Sequence, residues 1–278
     1  MTASGRPGVM LAVSVVTYGG DVVCLESTLS HLAVAAGALP AGRAALRLVL
    51  VDNGPGAVER SAALSRLLRG WDGGAEILSG HGNVGYGRGH NLAIGRHASA
   101  FHLVLNPDVE LAPDALVQAL AFLGAHPECG LLAPAVWGED GTLQYLCKRR
   151  PAAVDLLLRG FAPQWLRERF RFRLDRYEMR DLINERDVVW DPPIVSGCCM
   201  LFRTGVLERV GGFDPRYFLY FEDFDLSLKT AQIARIAYVP AVRIVHHGGG
   251  AARKGLAHVR MFAASAAKFF NRYGWRLV

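Results

Sequence analysis

Three short stretches of the 278-residue sequence carry side chains that could act together in chemistry. They are Asn106-Pro107-Asp108, Glu222-Asp223-Phe224-Asp225 and His246-His247. Carboxylate and amide oxygens suit Mg²⁺ or Mn²⁺ carried in on a diphosphate, and a carboxylate can also accept a proton from a reacting group. Each stretch has a structural alternative when taken alone, namely a turn, a helix cap and a structural histidine pair.

The first stretch follows the apolar run Phe101-His-Leu-Val-Leu105, which predicts a buried strand. Pro107 disfavours a continuing helix and pushes Asn106 towards an extended conformation. Asn106 and Asp108 would then leave the carboxyl end of a strand, where open α/β sheets bind ligands.

The acidic cluster lies among apolar residues, from Phe218 to Leu226, so a solvated face is disfavoured. At helical spacing Glu222 and Asp225 share one side of a helix, and Asp223 points elsewhere. Near a helix start the dipole favours the ionised carboxylate. The pattern indicates a catalytic base, with helix capping as the alternative.

The glycine-rich stretch from Gly80 to Asn91 is expected to be a loop that feeds a helix over 92–97. It departs from the dinucleotide fingerprint because His90 stands where a small residue is needed, and the sequence has no G-x-x-x-x-G-K-[ST] motif. It favours a backbone that passes close to a nucleotide, with Asn83 and Arg88 available to phosphate or ribose; a surface loop is the alternative.

A nucleobase contact is predicted at the ends of the first two strands. Asp52 could accept a hydrogen bond from the imide N–H of uracil or thymine while Tyr18 stacks on the ring. The alternative is that both are ordinary turn residues.

These residues need a scaffold, and the apolar periodicity supplies one. Strands are predicted over 10–18, 46–51, about 77–78, 101–105, 130–136, 195–202 and about 235–239, separated by helical patterns in the first half and followed by a helical tail. The last of them leads to the stretch 242–250, which contains His246 and His247. This alternation predicts a largely parallel sheet with helices on both faces. Residues 1–8 are interpreted as a loose leader, and Asp21 as a helix cap.

Composition limits the class of protein. A chain of this length with 51% hydrophobic residues can bury one large core, and no apolar run reaches the roughly 18 residues of a membrane span. Five cysteines, an odd number without C-x-x-C spacing, indicate reduced thiols in a cytoplasmic protein and argue against a zinc site.

The formal charge of +6 is concentrated in one segment. Between residues 148 and 180 there are ten basic and four acidic residues, and ten minus four equals the whole excess. Within the basic segment 147–190, aromatic residues such as Trp165 and Phe172 interleave with arginines. This composition suits a polyprenyl-diphosphate head at an anionic membrane surface; a solvated loop is the alternative, and no RNA-binding motif accompanies it.

Taken in order, the motifs resemble those of family 2 glycosyltransferases with the GT-A fold, most closely the rhamnosyltransferase-like branch. The resemblance covers residues 10 to about 250. It rests on Thr17-Tyr18, Asp52-Asn53, Asn83-x-Gly85 with Asn91, Asn106-Pro-Asp108, Ser196-Gly197, Gly211-Gly212-Phe213-Asp214, Glu222-Asp223-x-Asp225 and His246.

The resemblance implies a role for each matching residue. Asp108 would bind the metal, Mg²⁺ or Mn²⁺, together with His246, which fits the family pattern better than His247. Asn106 takes the first position of the D-x-D motif and removes one charge from it. Asp223 would be the catalytic base. The expected donor-binding residues are Thr17, Tyr18, Asp52, Asn83, Arg88 and Asn106, and the expected acceptor-side residues are Glu222, Asp225, Ser196 and Gly197.

The implied activity is an inverting, metal-dependent transfer of a sugar to a hydroxyl of a glycan or polyprenyl-linked acceptor in cell-surface polysaccharide synthesis. The expected donor is dTDP-rhamnose, with UDP- or GDP-sugars and a non-catalytic nucleotide-sugar-binding module as alternatives. A single GT-A domain is expected, with a nucleotide-sugar-binding half over about 9–140 and an acceptor-binding and catalytic half over about 141–278. The expected location is the cytoplasm, with peripheral attachment to the inner face of the plasma membrane, and no nucleic-acid partner is expected.

Overall fold

The computed structural model describes residues 9–19, 22–71, 74–248 and 255–278; the predicted leader and the helix cap Asp21 lie outside these ranges. The strands are β1 (Val9–Thr17), β2 (Leu46–Asp52), β3 (Ala75–Leu78), β4 (Ser99–Leu105), β5 (Val109–Leu111), β6 (Cys129–Trp137), β7 (Leu143–Gln144), β8 (Val189–Trp190), β9 (Cys199–Arg203) and β10 (Arg235–His246).

The α-helices are α1 (Val22–Gly37), α2 (Ala57–Leu67), α3 (Tyr86–Ala93), α4 (Ala115–Ala125), α5 (Ala153–Phe161), α6 (Gln164–Arg169), α7 (Arg171–Tyr177), α8 (Thr204–Arg209), α9 (Glu222–Thr230) and α10 (Leu256–Tyr273). A short 3-10 helix covers Gly42–Ala45. Within the described residues, no helix is both long enough and apolar enough to cross a membrane.

The strands form one sheet in the order β3-β2-β1-β4-β9-β6-β10-β5, with β7 beside β6 and β8 beside β10. The pairs β2–β3, β1–β2, β1–β4 and β6–β10 are parallel, whereas β9 is antiparallel to both β4 and β6. Consequently β1, β2, β3, β4, β6 and β10 share one direction. This confirms the predicted mostly parallel sheet.

Alternate residues of β4 belong to different hydrophobic clusters, as the period of a strand requires. Leu103 and Leu105 pack in the cluster that contains residues of α1 and α4. Val104 packs in the cluster that contains Leu207 of α8 and Leu226 of α9. The sheet is therefore covered by helices on both faces, which explains why its strands are runs of apolar residues.

The direction of β9 brings distant parts of the chain together at one edge of the sheet. Leu105, the last residue of β4, pairs with Cys199, the first residue of β9. Just beyond this pair the Asn106 N–H donates to the carbonyl of Cys198 at 2.8 Å. The Asn106-Pro-Asp108 turn and the residues before β9 therefore lie side by side.

The glycine-rich stretch differs from the prediction. The helix begins at Tyr86 and ends at Ala93, so the expected helix over 92–97 is wrong. The helix starts early because its glycines allow close packing: a Cβ at Gly87 would lie 2.8 Å from Phe213 Cβ, and one at Gly89 would lie 2.9 Å from Val16. Because the packed face of this helix consists of glycines, it has no apolar side chains whose spacing would indicate a helix.

The second half also departs from the predicted strand limits. β9 begins at Cys199, four residues later than predicted, because the preceding residues form the loop that carries Ser196 and Gly197. The basic segment contains three short helices, α5, α6 and α7. The predicted helical tail is confirmed as α10.

Candidate active site

The predicted metal-binding side chains meet because β5 and the end of β10 are paired. His246 pairs with Val109, the residue that follows Asp108. His246 Nε2 consequently lies 3.5 Å from Asp108 Oδ1. The structure therefore brings together the carboxylate and the imidazole that the sequence analysis assigned to one cation.

The position of Gly248 shows that this pair has room for an ion. A Cβ at this position would lie 2.4 Å from Asp108 Oδ2 and 2.7 Å from His246 Nε2, so the absence of a side chain keeps the space in front of both ligand atoms open. Within the described residues no group of three or more His, Cys, Asp or Glu side chains could hold a metal. Two protein ligands fit a divalent cation that takes its remaining ligands from a diphosphate and water.

His247 faces other partners. Its ring lies 2.6 Å from Glu139 Oε1 through Nδ1 and 3.1 Å from Glu110 Oε1 through Nε2. The hydrogen bond to Glu139 raises the pKa of His247 above its ordinary value. These contacts favour His246 over His247 as the neighbour of Asp108.

The predicted base, Asp223, is the second residue of α9. Its Oδ2 accepts a hydrogen bond from the Gly197 N–H at 3.0 Å, and its Oδ1 accepts one from the Phe224 N–H at 3.0 Å. A Cβ at Gly197 would lie 3.2 Å from the Cβ of Asp223. The carboxylate is therefore fixed between the start of a helix and the loop before β9.

The backbone in front of this helix is strained. Tyr220 and Phe221, which immediately precede Glu222, have φ values of 69° and 66°. Residues other than glycine and asparagine rarely adopt this left-handed region of backbone conformation. The turn allows α9 to begin at Glu222 and Asp223, with the two carboxyl groups in its first turn.

Burial sets the electrostatics of the two acids. Burial first, and the charge of Asp223 second, raise the pKa of Glu222 to about 8. Burial also raises the pKa of Asp223, while hydrogen bonds from backbone N–H groups oppose that rise. Glu222 is therefore protonated near neutral pH. The backbone donors favour placing the charge on Asp223.

Tyr86 links the two acidic ends of the site. Its hydroxyl donates towards Gly197 O at 2.7 Å and Asn106 Oδ1 at 2.8 Å. Burial raises its pKa well above the ordinary value, and the charges of Glu222, Asp223 and Asp108 add to the effect. Tyr86 therefore contacts both the turn that carries Asp108 and the loop whose Gly197 binds Asp223.

The expected nucleobase end lies where β1 and β2 finish. Thr17 pairs with Asp52 across these strands, and the next residue, Tyr18, is exposed. The Asp52 carboxylate is enclosed: the Nε of Arg60 and the N–H of Gly54 both donate to it. The structure thus brings Tyr18 close to Asp52 in the fold but covers the carboxylate with an arginine.

Two residues expected near phosphate or ribose have local partners. Asn83 Oδ1 accepts a hydrogen bond from the Gly85 N–H at 3.0 Å, which shapes the turn into α3. The exposed Arg88 donates through Nε to Pro215 O at 2.7 Å. Their roles towards a donor stay predictions.

On the expected acceptor side, Ser196 and Gly197 lie in the loop before β9, and the Cys198 N–H donates to Ser196 Oγ at 3.3 Å. Asp225 points to the C-terminal helix instead. The Tyr273 hydroxyl donates to its Oδ1 at 2.8 Å, and Arg272 Nη1 lies 3.0 Å from the same atom. These contacts give Asp225 a structural role in joining α9 to α10, and its acceptor role stays a prediction.

The basic segment is partly neutralised by its own acids. Six of its ten counted basic side chains lie in ion pairs with carboxylates, namely Lys148, Arg149, Arg159, Arg171, Arg173 and Arg180. The aromatic side chains of Trp165 and Phe172 are 68% and 84% exposed. The segment therefore presents exposed aromatic rings more strongly than it presents free charge.

Sequence reasoning missed three residues of this region: Tyr86, Arg60 and Gly248. The glycine run that follows His247 was a usable signal for a tight approach to the metal end. Tyr86 stood inside a stretch interpreted as a loop, and nothing in the sequence connects Arg60 with Asp52. The contacts of these two residues are tertiary.

No protein-family model matches the chain. It is 29% identical to the N-acetylglucosaminyl-diphospho-decaprenol L-rhamnosyltransferase of Mycobacterium tuberculosis, over 72% of this chain and 66% of that protein. It is 24% identical to the rhamnosyltransferase WbbL of Escherichia coli K12, over 63% of this chain and 64% of that protein. The matched region spans slightly less than two thirds of each relative.

Among solved structures, the chain is similar to the mannosyltransferase PcManGT from Pyrobaculum calidifontis in complex with GDP-Man and Mn²⁺. The TM-score is 0.60 at 19% identity, covering 97% of this chain and 77% of that one. The chain has the GT-A fold. Together the comparisons confirm the predicted fold and the predicted resemblance to glycosyltransferases of the rhamnosyltransferase-like branch.

Proposed function

We propose that the protein is an inverting, divalent-metal-dependent glycosyltransferase that moves rhamnose from dTDP-rhamnose to a hydroxyl of a polyprenyl-diphosphate-linked glycan. The observation that carries the proposal is the position of Tyr86. Its hydroxyl lies 2.8 Å from Asn106 Oδ1, in the turn that carries Asp108, and 2.7 Å from the carbonyl of Gly197, whose N–H donates to Asp223. A site for the departing diphosphate and a site for a proton acceptor would then share one cleft, as a transfer between two bound substrates requires.

Asp108 and His246 would hold the cation, in the space that Gly248 leaves open. A divalent ion bound there supplies charge neutralisation for the nucleoside diphosphate as it leaves. The amide of Asn106 adds a neutral oxygen beside this position, held by the Tyr86 hydroxyl.

Asp223 would accept the proton of the attacking hydroxyl. Its two backbone hydrogen bonds fix its orientation, and the raised pKa of Glu222 keeps the neighbouring acid protonated near neutral pH. Attack on the side of the sugar opposite the diphosphate inverts the anomeric carbon in one displacement, through a state with oxocarbenium character. A positioned base contributes about 10²- to 10⁴-fold to such a step.

The choice of substrates is supported by the relatives. The mycobacterial protein is named as a rhamnosyltransferase acting on N-acetylglucosaminyl-diphospho-decaprenol, and the bacterial protein WbbL is named as a rhamnosyltransferase. We extend rhamnosyl transfer and the lipid-linked acceptor class to the present chain, with dTDP-rhamnose as the proposed donor and a single domain working in the cytoplasm. The exposed Trp165 and Phe172 of the basic segment would contact the inner face of the plasma membrane, where a lipid-linked acceptor lies.

The deciding experiment compares Asp223→Asn with the wild type in transfer from dTDP-rhamnose to a synthetic polyprenyl-diphosphate-GlcNAc. We expect the rate to fall by about 10²- to 10⁴-fold, with the affinity for dTDP unchanged in calorimetry. Glu208→Gln, at an exposed carboxylate of the same chain half and outside the basic segment, is the control and should keep full activity. Near-normal transfer by Asp223→Asn would reject the proposal.

A further inference from the structure

The carboxylate of Asp52 is sealed from solvent. Its side chain is 0% exposed, whereas that of Arg60, which covers it, is 21% exposed. Arg60 Nε lies 3.1 Å from both Oδ1 and Oδ2, and the Gly54 N–H donates to Oδ1 at 3.0 Å. A nucleobase arriving at this end of the sheet would meet the guanidinium before the carboxylate.

The contact leaves one side of the guanidinium available. Arg60 uses Nε towards Asp52, and within the part of the chain that the structure describes no hydrogen bond engages its Nη1 or Nη2. A carboxylate on Nε holds the planar group in a fixed orientation, so little side-chain freedom remains to be lost when a ligand binds.

Gly54 is part of the same arrangement. A Cβ at this position would lie 2.8 Å from Arg60 Nε and 3.0 Å from Asp52 Oδ1. No side chain could stand there without moving the guanidinium. The sequence Asp52-Asn53-Gly54 therefore both ends β2 and makes room for an arginine from the following helix.

The pair lies next to the exposed aromatic ring expected to stack on a base. Thr17 is the register partner of Asp52, and the Asn53 N–H donates to Thr17 O at 2.9 Å, so Tyr18 leaves β1 beside the end of β2. A flat ring and a row of N–H donors are the two elements that bind a nucleobase through its face and its carbonyl edge.

We infer that Arg60 is the residue that recognises the nucleobase, through a ring carbonyl, and that Asp52 is a positioning residue that acts through Arg60. The base would be one with a carbonyl oxygen next to a ring N–H, as in thymine, uracil or guanine. Adenine has an amino group in place of this carbonyl. Its N–H groups and those of Arg60 are both donors, so no hydrogen bond could form between them.

This inference rests on the proposed function, because it assigns a role within the same donor site. The test measures the affinities of dTDP and ADP by titration calorimetry with Mn²⁺ for the wild type and for Arg60→Ala, Asp52→Asn, Gly54→Ala and the double variant Asp52→Asn/Arg60→Met. Arg66→Ala, an exposed arginine of the same helix, is the matched control.

We expect each of the three single changes to weaken dTDP binding by about tenfold or more, as the loss of a charge-assisted hydrogen bond does, while ADP binding hardly changes. The preference for dTDP over ADP should therefore collapse. The double variant should bind dTDP no more weakly than Arg60→Ala, because both residues serve one contact. Arg60→Ala leaves the charge of Asp52 buried without its charged partner and could fail to fold. The double variant removes both charges and keeps side chains of similar size, so it still tests the inference in that case.

The opposite pattern would overturn the inference. If Asp52 contacts the base directly, Arg60→Ala uncovers it, so dTDP binds as tightly as before or more tightly and the preference over ADP is kept. A loss shared equally by dTDP and ADP would assign Arg60 a structural role only. Failure of the wild type to bind dTDP, UDP or GDP with Mn²⁺ would overturn the proposed function as well.

Discussion

Glu222 makes the stability of the protein depend on pH in a direction unusual for a carboxyl group. Its Oε2 is buried without a hydrogen-bond partner in the described structure, and burial together with Asp223 raises its pKa to about 8. The folded state therefore binds this proton more tightly than the unfolded state does. The stabilisation is fully present below the ordinary pKa of 4.5 and is lost as the pH rises through about 8.

The size of the effect follows from the difference between the two pKa values. At about 1.4 kcal/mol for each pH unit, a rise from 4.5 to about 8 corresponds to a loss of about 5 kcal/mol of folding stability across this window. Glu222→Gln keeps the shape of the protonated acid and removes the titration. The free energy of unfolding of the variant, relative to the wild type, should increase by about 1.4 kcal/mol per pH unit between pH 5 and pH 8.

The assay is urea denaturation of both proteins at pH 5, 6, 7 and 8, followed by tryptophan fluorescence. Glu185→Gln, at an exposed position, is the control and should run parallel to the wild type. Asp223 stays in both proteins, so its own titration contributes to both curves. A constant difference between Glu222→Gln and the wild type over this range would refute the burial argument.

The remaining predictions concern the metal end, the helix contact and the membrane. Asp108→Ala should remove the Mn²⁺-dependent part of dTDP affinity, measured by calorimetry with Mn²⁺ and with EDTA; a Mn²⁺ effect of normal size would contradict the ligand role. Gly248→Ala should lower Mn²⁺ affinity because its Cβ would lie 2.4 Å from Asp108 Oδ2, and an unchanged titration would show that the cation lies elsewhere. Tyr273→Phe removes the hydrogen bond to the buried Asp225 and should lower the free energy of unfolding by about 1–3 kcal/mol in urea; no loss would mean that this contact does not anchor α10. Trp165→Ser combined with Phe172→Ser should reduce co-sedimentation with anionic liposomes while transfer to a short-chain soluble acceptor persists, and equal sedimentation would remove the membrane role of these rings.

The sequence predicted the parts of the fold that depend on local pattern. The apolar run before Asn106 favoured a strand, because the run is short and bounded by polar residues and Pro107 disfavours a continuing helix. The strand was found as Ser99–Leu105. The same reasoning gave β1, β2 and β6 with limits that differ by at most one residue from the predicted ones.

Pairings between distant strands were beyond that reasoning. Nothing local states that β9 enters the sheet between β4 and β6, and this insertion brings Gly197 to Asn106. The partners of Asp225 could not be predicted either. Helical spacing places it on the same side as Glu222, but its hydrogen-bond partner Tyr273 belongs to the distant helix α10. Helices of six or seven residues, such as α6 and α7, are too short for a hydrophobic period to be visible.

The prediction of a free basic patch was incomplete for a related reason. Counting charges along 148–180 leaves out Asp181, whose carboxylate binds Arg149. It also misses the convergence of Lys148, Arg159 and Arg180 on Glu178. The sequence gives the net charge of the segment correctly. How many of its basic side chains are free to bind a ligand depends on how the short helices fold together.

The basic segment is closed at its base by a bridge between Lys148 and Ile194, whose backbones exchange hydrogen bonds of 2.8 and 3.1 Å. The chain therefore returns beside the point at which it left. Between these two ends β8 rejoins the sheet by pairing with β10, while the short helices α5, α6 and α7 form a side branch. Evolution or an engineer could lengthen, shorten or replace this branch, since tethering its ends already accounts for most of the cost of closing it. One scaffold for activating a sugar could in this way be fitted to many recipients without altering how the sugar is released.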